Sequence, residues 1–250
     1  MKDLLARVNA GVLQQIAWSQ ALLAFDFDGT LAPIVADRDR AAMRAPTRRL
    51  FERLCARYPV AVISGRSQRD VRARLGDAAV PQVVGNHGMD RDDDGVFARD
   101  VALASAHIAA ALADVPGVDL EDKGLSLALH YRASRSRRAA RAAILAAVTA
   151  APVPLRVVPG KLVINALPAR APHKGDALIR ARTAAHADTA LYLGDDVTDE
   201  DVFVLDQPGR LLSVRVGRTR ATAAPWYVRD QRAVDELLAR LLALRPAPRR

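Results

Sequence analysis

The sequence predicts an α/β protein in which a doubly wound parallel sheet, built from both ends of the chain, carries a smaller inserted α/β domain. Three observations lead to it. Residues 21–27, 60–64 (VAVIS) and 190–194 (ALYLG) are short apolar runs that end in Gly or a polar group. Such runs are the mark of strands buried on both faces. Helical patterns separate them, at 47–58, 68–75, 174–187 and 233–244. Between about 102 and 170 the pattern changes to Ala-rich helical segments followed by stretches alternating with period two.

Taken in order, residues 1–18 carry Lys2, Asp3 and Arg7 among spaced apolar residues and read as an amphipathic helix, with no uninterrupted hydrophobic core of a signal peptide. The run 21–27 then supplies the first buried strand, and 60–64 and 190–194 supply two more. The segments 102–113 and 134–151 are expected helices. Residues 125–132 (LSLALHYR) and 161–167 (KLVINAL) are expected strands. Their alternation puts Ser126, His130 and Arg132 on one face, and Lys161 and Asn165 on one face. Helices would cover one side of that small sheet and leave the other exposed. The expected division is therefore 1–101 with 171–250 as the core and 102–170 as the insertion. The tail from Arg245 is expected to fray.

Composition narrows the function. Half of the 250 residues are hydrophobic and 26% are charged, an ordinary globular balance. No window approaches the ~20 apolar residues that cross a bilayer. Cys55 is the single cysteine, so no intrachain disulfide can form, in keeping with a cytoplasmic location. It reads as a small buried hydrophobe. The net charge of +9 raises the possibility of nucleic-acid binding, but the basic residues are scattered and aromatic residues make up only 4%. That is too little for base stacking, and no specific nucleic acid is expected. The chain has four lysines, Lys2, Lys123, Lys161 and Lys174, against 33 arginines. Lys offers a compact rotatable ammonium where Arg offers a planar fork.

The chemistry concentrates at strand ends. Asp26 and Asp28, two residues apart in DFDGT, can serve different roles, one attacking phosphorus and the other moving protons. Gly29 would turn backbone N–H groups toward a phosphate. Gly194 to Glu200 (GDDVTDE) holds four acids within six residues. Oxygen-only donors of this kind favour Mg²⁺. Asp199 and Glu200 also suit a helix N-terminus, whereas Asp195 comes too early for that. Ser64-Gly65-Arg66 offers a hydroxyl and a flexible amide to phosphate oxygens. Lys174 stands at a helix start, where the dipole does not favour a cation, so an anion facing it is the better explanation.

In this order the four elements resemble the motifs of the haloacid dehalogenase-like phosphatases. The segments SGR at 64–66, GNHG at 85–88, Glu121 to Lys123 with Ser126, HYR at 130–132, Gly160-Lys161, Lys174-Gly175 and GDDVTDEDVF narrow this to a resemblance to the trehalose-6-phosphate phosphatases over about 21–206. The resemblance implies a Rossmann-like core with Asp26 as nucleophile and Asp28 as general acid and base. Mg²⁺ would be held by Asp26, the Asp28 carbonyl and Asp195, with Asp196 or Asp199 supporting. Ser64, Gly65 and Lys174 would hold the phosphoryl group. The insertion would be a sugar-recognising cap, and Arg66, Asn86, His87, Glu121, Lys123, Ser126, His130, Arg132, Lys161 and Asn165 would contact substrate. A monomer acting on a small sugar phosphate is implied. Two positions depart from the family pattern: Asn165 and Asp90 stand where Glu is usual. They leave trehalose 6-phosphate and another phosphorylated glycoside, such as a sucrose or glucosylglycerate phosphate, as alternatives.

Overall fold

The apolar runs form strands where the expected pattern puts them. In the computed structural model, which describes residues 1–35, 37–89, 95–205 and 207–245, the strands are Lys2–Asp3 (β1), Ala21–Phe25 (β2), Val60–Ile63 (β3), Gln82–Val84 (β4), Asp119–Asp122 (β5), Leu127–His130 (β6), Leu155–Gly160 (β7), Val163–Pro168 (β8), Thr189–Gly194 (β9), Leu211–Val216 (β10) and Trp226–Val228 (β11). The helices are Ala10–Trp18 (α1), Ala45–Cys55 (α2), Gln68–Leu75 (α3), Val96–Ala111 (α4), Arg137–Thr149 (α5), Lys174–Ala184 (α6), Glu200–Phe203 (α7) and Gln231–Leu244 (α8). The tail beyond Arg245, and Asp90, lie outside the described residues.

Two compact units result, Met1–Gly88 with His173–Arg250, and Met89–Pro172. The second begins earlier than residue 102 because its first helix already starts at Val96.

In the larger unit seven parallel strands lie in the order β1-β11-β10-β9-β2-β3-β4. Alternate residues of each strand face opposite layers. Leu23, Phe25, Val62, Leu191 and Leu193 pack with Leu13, Phe51, Val71, Leu237 and Leu241 from α1, α2, α3 and α8. Leu22, Ala24, Ala61, Ile63 and Tyr192 pack with Ala177, Leu178, Val202 and Phe203 from α6 and α7. Both faces are dry, which is why these strands read as unbroken apolar runs. From β2 the chain runs outward to β3 and β4, whereas from β9 it runs the other way to β10 and β11. The β2/β9 boundary is therefore the topological switch point, where ligands of open α/β sheets bind beyond the strand ends.

The N-terminus differs from the single amphipathic helix expected over 1–18. Lys2 and Asp3 pair with β11, and α-helix begins only at Ala10. Asp3 holds the extended start by accepting the Leu5 N–H on its carboxylate (2.9 Å) and the Asn9 side-chain amide on its carbonyl (2.6 Å). Such local bonds compete with helix.

The smaller unit has an antiparallel sheet in the order β5-β6-β8-β7. Leu127, Leu129, Ile164 and Ala166 share a face and pack with Val101, Ala104, Ile108 and Ile144 of α4 and α5. The opposite face is less open than expected. Val158 and Leu167 join Met89 and Ala171 in a second small cluster, and Asn165 is buried. The first expected strand is shorter at both ends, and the second starts two residues later and runs one residue further, to Pro168. Leu162 has φ 62°, in the two-residue turn between Gly160 and its ladder partner Val163. This is an uncommon conformation for a branched residue, held here by packing its side chain onto the core of the unit. Alternation therefore starts at Val163 and does not put Lys161 beside Asn165. Ser126 lies in the β5–β6 turn and Arg132 in the turn after β6, so neither is placed by the strand's alternation.

Candidate active site

The switch point places Asp26 immediately after β2 and Asp195 immediately after β9. Lys174 comes from the opposite direction, as the first residue of α6. That helix starts there because His173 Nδ1 accepts the N–H groups of Gly175 and Asp176, while the Asp176 carboxylate accepts the His173 N–H.

Lys174 is 1% exposed, and its ammonium donates to Asp26 Oδ1 at 2.9 Å and to Asp199 Oδ1 at 2.7 Å. Burial works against its charge, but Asp199 and Asp26 together outweigh that and hold its pKa well above the usual lysine range. Asp199 is itself 0% exposed. Its Oδ1 also accepts the Tyr192 hydroxyl (2.7 Å), and its Oδ2 accepts the N–H groups of Asp195 (2.8 Å) and Asp196 (2.9 Å). A buried carboxylate is tolerated when its lone pairs are satisfied in this way.

Oxygens of Asp26, Asp195 and Asp199 lie within 4.8 Å of one another. Burial raises Asp26 well above the ordinary carboxylate range, Lys174 opposes this, and Asp199 and Asp195 add to it. Asp195 is pushed up to about 7, first by burial and then by the charges of Asp199 and Asp196, with Lys174 and Arg215 opposing. Carboxylates that raise one another are stabilised as anions by a cation among them, and an all-oxygen donor set suits a hard divalent ion. Asp26 and Asp195 fit as ligands. Asp199 is in the cluster with both oxygens engaged, and Asp196 Oδ1 accepts the Val197 N–H (2.7 Å) as a helix cap.

Gly29 has a different reason from the one its sequence context gives. Its N–H donates to the Ala32 carbonyl at 2.7 Å. It has φ 83°, and a Cβ there would sit 2.0 Å from Asp195 Oδ2. Glycine is required because the Asp195 carboxylate comes up against this turn.

Asp28 is held by Arg66, whose Nε and Nη2 donate to its two oxygens at 2.5 and 2.8 Å. Arg66 Nη1 reaches Asp70 at 2.7 Å, and Asp70 accepts from Arg74. Arg66 is thus brought to the second carboxylate of DFDGT. Ser64 and Gly65 follow β3, adjacent to β2, and Ser64 Oγ accepts the Arg66 N–H (3.2 Å). The GNHG turn backs this loop: the Asn86 N–H donates to the Arg66 carbonyl and the His87 N–H to the Ser64 carbonyl. Asn86 and His87 are buried there at φ 46° and 60°. A Cβ on Gly65 would lie 2.4 Å from the His87 ring.

In the smaller unit Glu121, Ala128 and Asn165 form one cross-strand row. His130 Nε2 is 3.1 Å from Glu121 Oε2, and Lys123 Nζ donates to Asn165 Oδ1 at 3.5 Å. The Asn165 amide donates to the Val158 carbonyl at 3.3 Å. Ser126 is buried, and Lys161 and Arg132 are exposed in turns. The sequence reading missed Tyr192, Asp70 and Arg215. Tyr192 had a signal, as the one hydroxyl in the aliphatic run ALYLG.

A parallel sheet opened at this switch point, with an antiparallel α/β unit inserted, is the haloacid dehalogenase-like fold. The solved C-terminal domain of C. albicans trehalose-6-phosphate phosphatase shares it, with a TM-score of 0.76 at 24% identity over 94% of this chain and 97% of that one. The chain belongs to the trehalose-phosphatase family, whose profile matches residues 24–231. The trehalose-phosphate phosphatase of Mycobacterium avium (strain 104) is 35% identical over 241 residues, which cover 87% of this chain and 61% of the relative. The Mycobacterium tuberculosis (strain H37Rv) protein of the same name is 34% identical over 259 residues, covering 96% and 66%. The chain thus spans less than two thirds of the length of these curated relatives. Among the described residues no helix is long and apolar enough to cross a membrane.

Proposed function

We propose that this chain hydrolyses trehalose 6-phosphate to trehalose and phosphate, with Asp26 as the nucleophile and Mg²⁺ as cofactor. The buried Lys174–Asp26 pair at the switch point, in a member of the trehalose-phosphatase family, carries the reading. Asp26 and Asp195, with the Asp28 carbonyl, would hold the ion. When bound it supplies charge neutralisation to the phosphoryl oxygens.

The chain's own residues do the rest. Lys174 fixes the Asp26 carboxylate through Oδ1 and, with Ser64 and Gly65, receives the phosphoryl group. Asp26 attacks phosphorus and forms the acyl phosphate as the bond from phosphorus to the sugar oxygen breaks. Asp28 gives its proton to the departing oxygen. It then takes one from the water that attacks the aspartyl-phosphate, which releases phosphate and restores Asp26. Arg66 fixes the rotamer of Asp28 through its two bonds while that side chain is an anion, and Asp28 gives up one of them when it carries the proton. In the smaller unit Glu121, Lys123, His130 and Asn165 offer both donors and acceptors for sugar hydroxyls. The protein acts as a cytoplasmic monomer in this reading.

Phosphate release from a panel of sugar phosphates in Mg²⁺ tests it. A preference for trehalose 6-phosphate of more than about tenfold, ~1.4 kcal/mol, is expected. A smaller preference overturns the substrate assignment. Asn165 favours one second reading, a phosphatase of another phosphorylated glycoside. An amide presents one acceptor and one donor where a carboxylate presents two acceptors.

A further inference from the structure

The peptides that carry Asp195 and Asp196 lie just beyond the last ladder residue of β9, Gly194, so sheet pairing no longer holds them. Their N–H groups both donate to Asp199 Oδ2. Their carbonyls both accept from Arg215: Nη2 to Asp195 and Nη1, at 3.2 Å, to Asp196. Arg215 can reach them because β10 runs parallel to β9 with Arg215 opposite Gly194. The guanidinium is fixed in turn. Nη1 is 3.3 Å from Glu200 Oε1, and Glu200 Oε2 accepts the Ala223 N–H at 2.8 Å. The arginine side chain is 15% exposed.

We propose that Arg215 is a positioning residue that sets Asp195 for the divalent cation. This rests on the reading of Asp195 as a ligand given above. One guanidinium grips two successive carbonyls from two different nitrogens, which fixes the rotation of the peptides from which the Asp195 carboxylate projects toward Gly29. A lysine ammonium has no such fork. Groups that orient a ligand from behind change metal affinity by roughly 10- to 100-fold when removed.

Charge and position predict opposite results, which makes the test sharp. By charge alone, loss of a cation beside Asp195 strengthens binding of Mg²⁺. If position governs, the loss weakens it. The experiment is a calorimetric titration of the full chain with Mg²⁺ and no substrate, together with the Mg²⁺-dependent rise in melting midpoint, for wild type, Arg215→Ala and Arg215→Lys. Binding about tenfold or more weaker in Arg215→Ala is expected, with Arg215→Lys between it and wild type. Equal or tighter binding in Arg215→Ala overturns the assignment, and a mere staple between loops would lower the melting midpoint in chelator without changing Mg²⁺ affinity. Should Arg215→Ala not fold, Arg215→Lys decides, with wild-type affinity counting against the proposal. A wild-type chain that does not respond to Mg²⁺ removes the metal reading itself, so the two failures are distinguishable.

Discussion

In the seven-stranded sheet Asp26, Ser64 and Asp195 each follow the last residue of a strand, whereas in the four-stranded sheet Glu121, His130 and Asn165 stand within strands. A residue just past a buried parallel strand keeps at most its N–H in the sheet, as Asp26 does to Leu193 and Ser64 to Val84, and its side chain is set by groups from other elements, as Lys174 fixes Asp26. A residue within an antiparallel strand takes its direction from the register, which one turn can change. The first arrangement concentrates charge at a point. The second spreads hydrogen-bonding groups over an area. Reaction chemistry suits the one, and contact with many sugar hydroxyls suits the other.

Mutations can break or sharpen this contrast. The largest effect is expected at the strand end itself. Asp26→Asn should lower Mg²⁺-dependent phosphate release by roughly 10³-fold or more, as removal of a nucleophile does, with an unchanged far-UV spectrum. Substantial residual turnover would show that the nucleophile lies elsewhere. Lys174→Met, which leaves Asp26 and Asp199 without their buried cation, should cost about 3–5 kcal/mol in urea unfolding with chelator present. A loss below ~1 kcal/mol would mean that the pair of carboxylates tolerates burial unaided.

Next comes Arg66→Ala. Loss of an oriented proton donor should slow turnover of a sugar phosphate by roughly 100-fold. The first-turnover burst from an aryl phosphate, whose leaving group needs no proton, should fall much less. Equal loss in both would place Arg66 on the phosphoryl group and not behind Asp28. The smallest effect is expected in the four-stranded sheet. Asn165→Glu removes the amide bond to the Val158 carbonyl, about 0.5–1.5 kcal/mol of stability. It should alter KM for a sugar phosphate with kcat on an aryl phosphate unmoved. A change in the aryl phosphate rate would erase the division of labour between the two sheets.

Legibility from sequence follows the same line. Asp26, Asp195 and Lys174 were readable because an apolar run that stops at an acid, and a lone lysine at a helix start, are local patterns with few other causes. Asp199 was readable as an acid but not as the acceptor of four donors, since Tyr192 and Lys174 reach it through tertiary packing. Arg215 gave no local sign, as its partners are brought near by the β9–β10 pairing. Asp70 did have one, the four-residue spacing of Arg66, Asp70 and Arg74. In the smaller unit the alternation over 127–130 and 163–167, within the expected strands 125–132 and 161–167, was visible. The positive φ of Leu162 was not, because Leu carries no preference for it. The expected face of Lys161 depended on that one residue.

The four bonds at Asp199 have a consequence for how the molecule forms. Its donors come from the start of α6, the middle of β9 and the turn after β9. Each arrives only when its own element has docked, and a partly docked intermediate would hold a desolvated anion short of partners. Such states are penalised relative to both the unfolded chain and the finished core, so Asp199 makes assembly of this region closer to all-or-none. The carboxylate that holds the lysine in place thereby ties the appearance of a competent site to completion of the sheet around it.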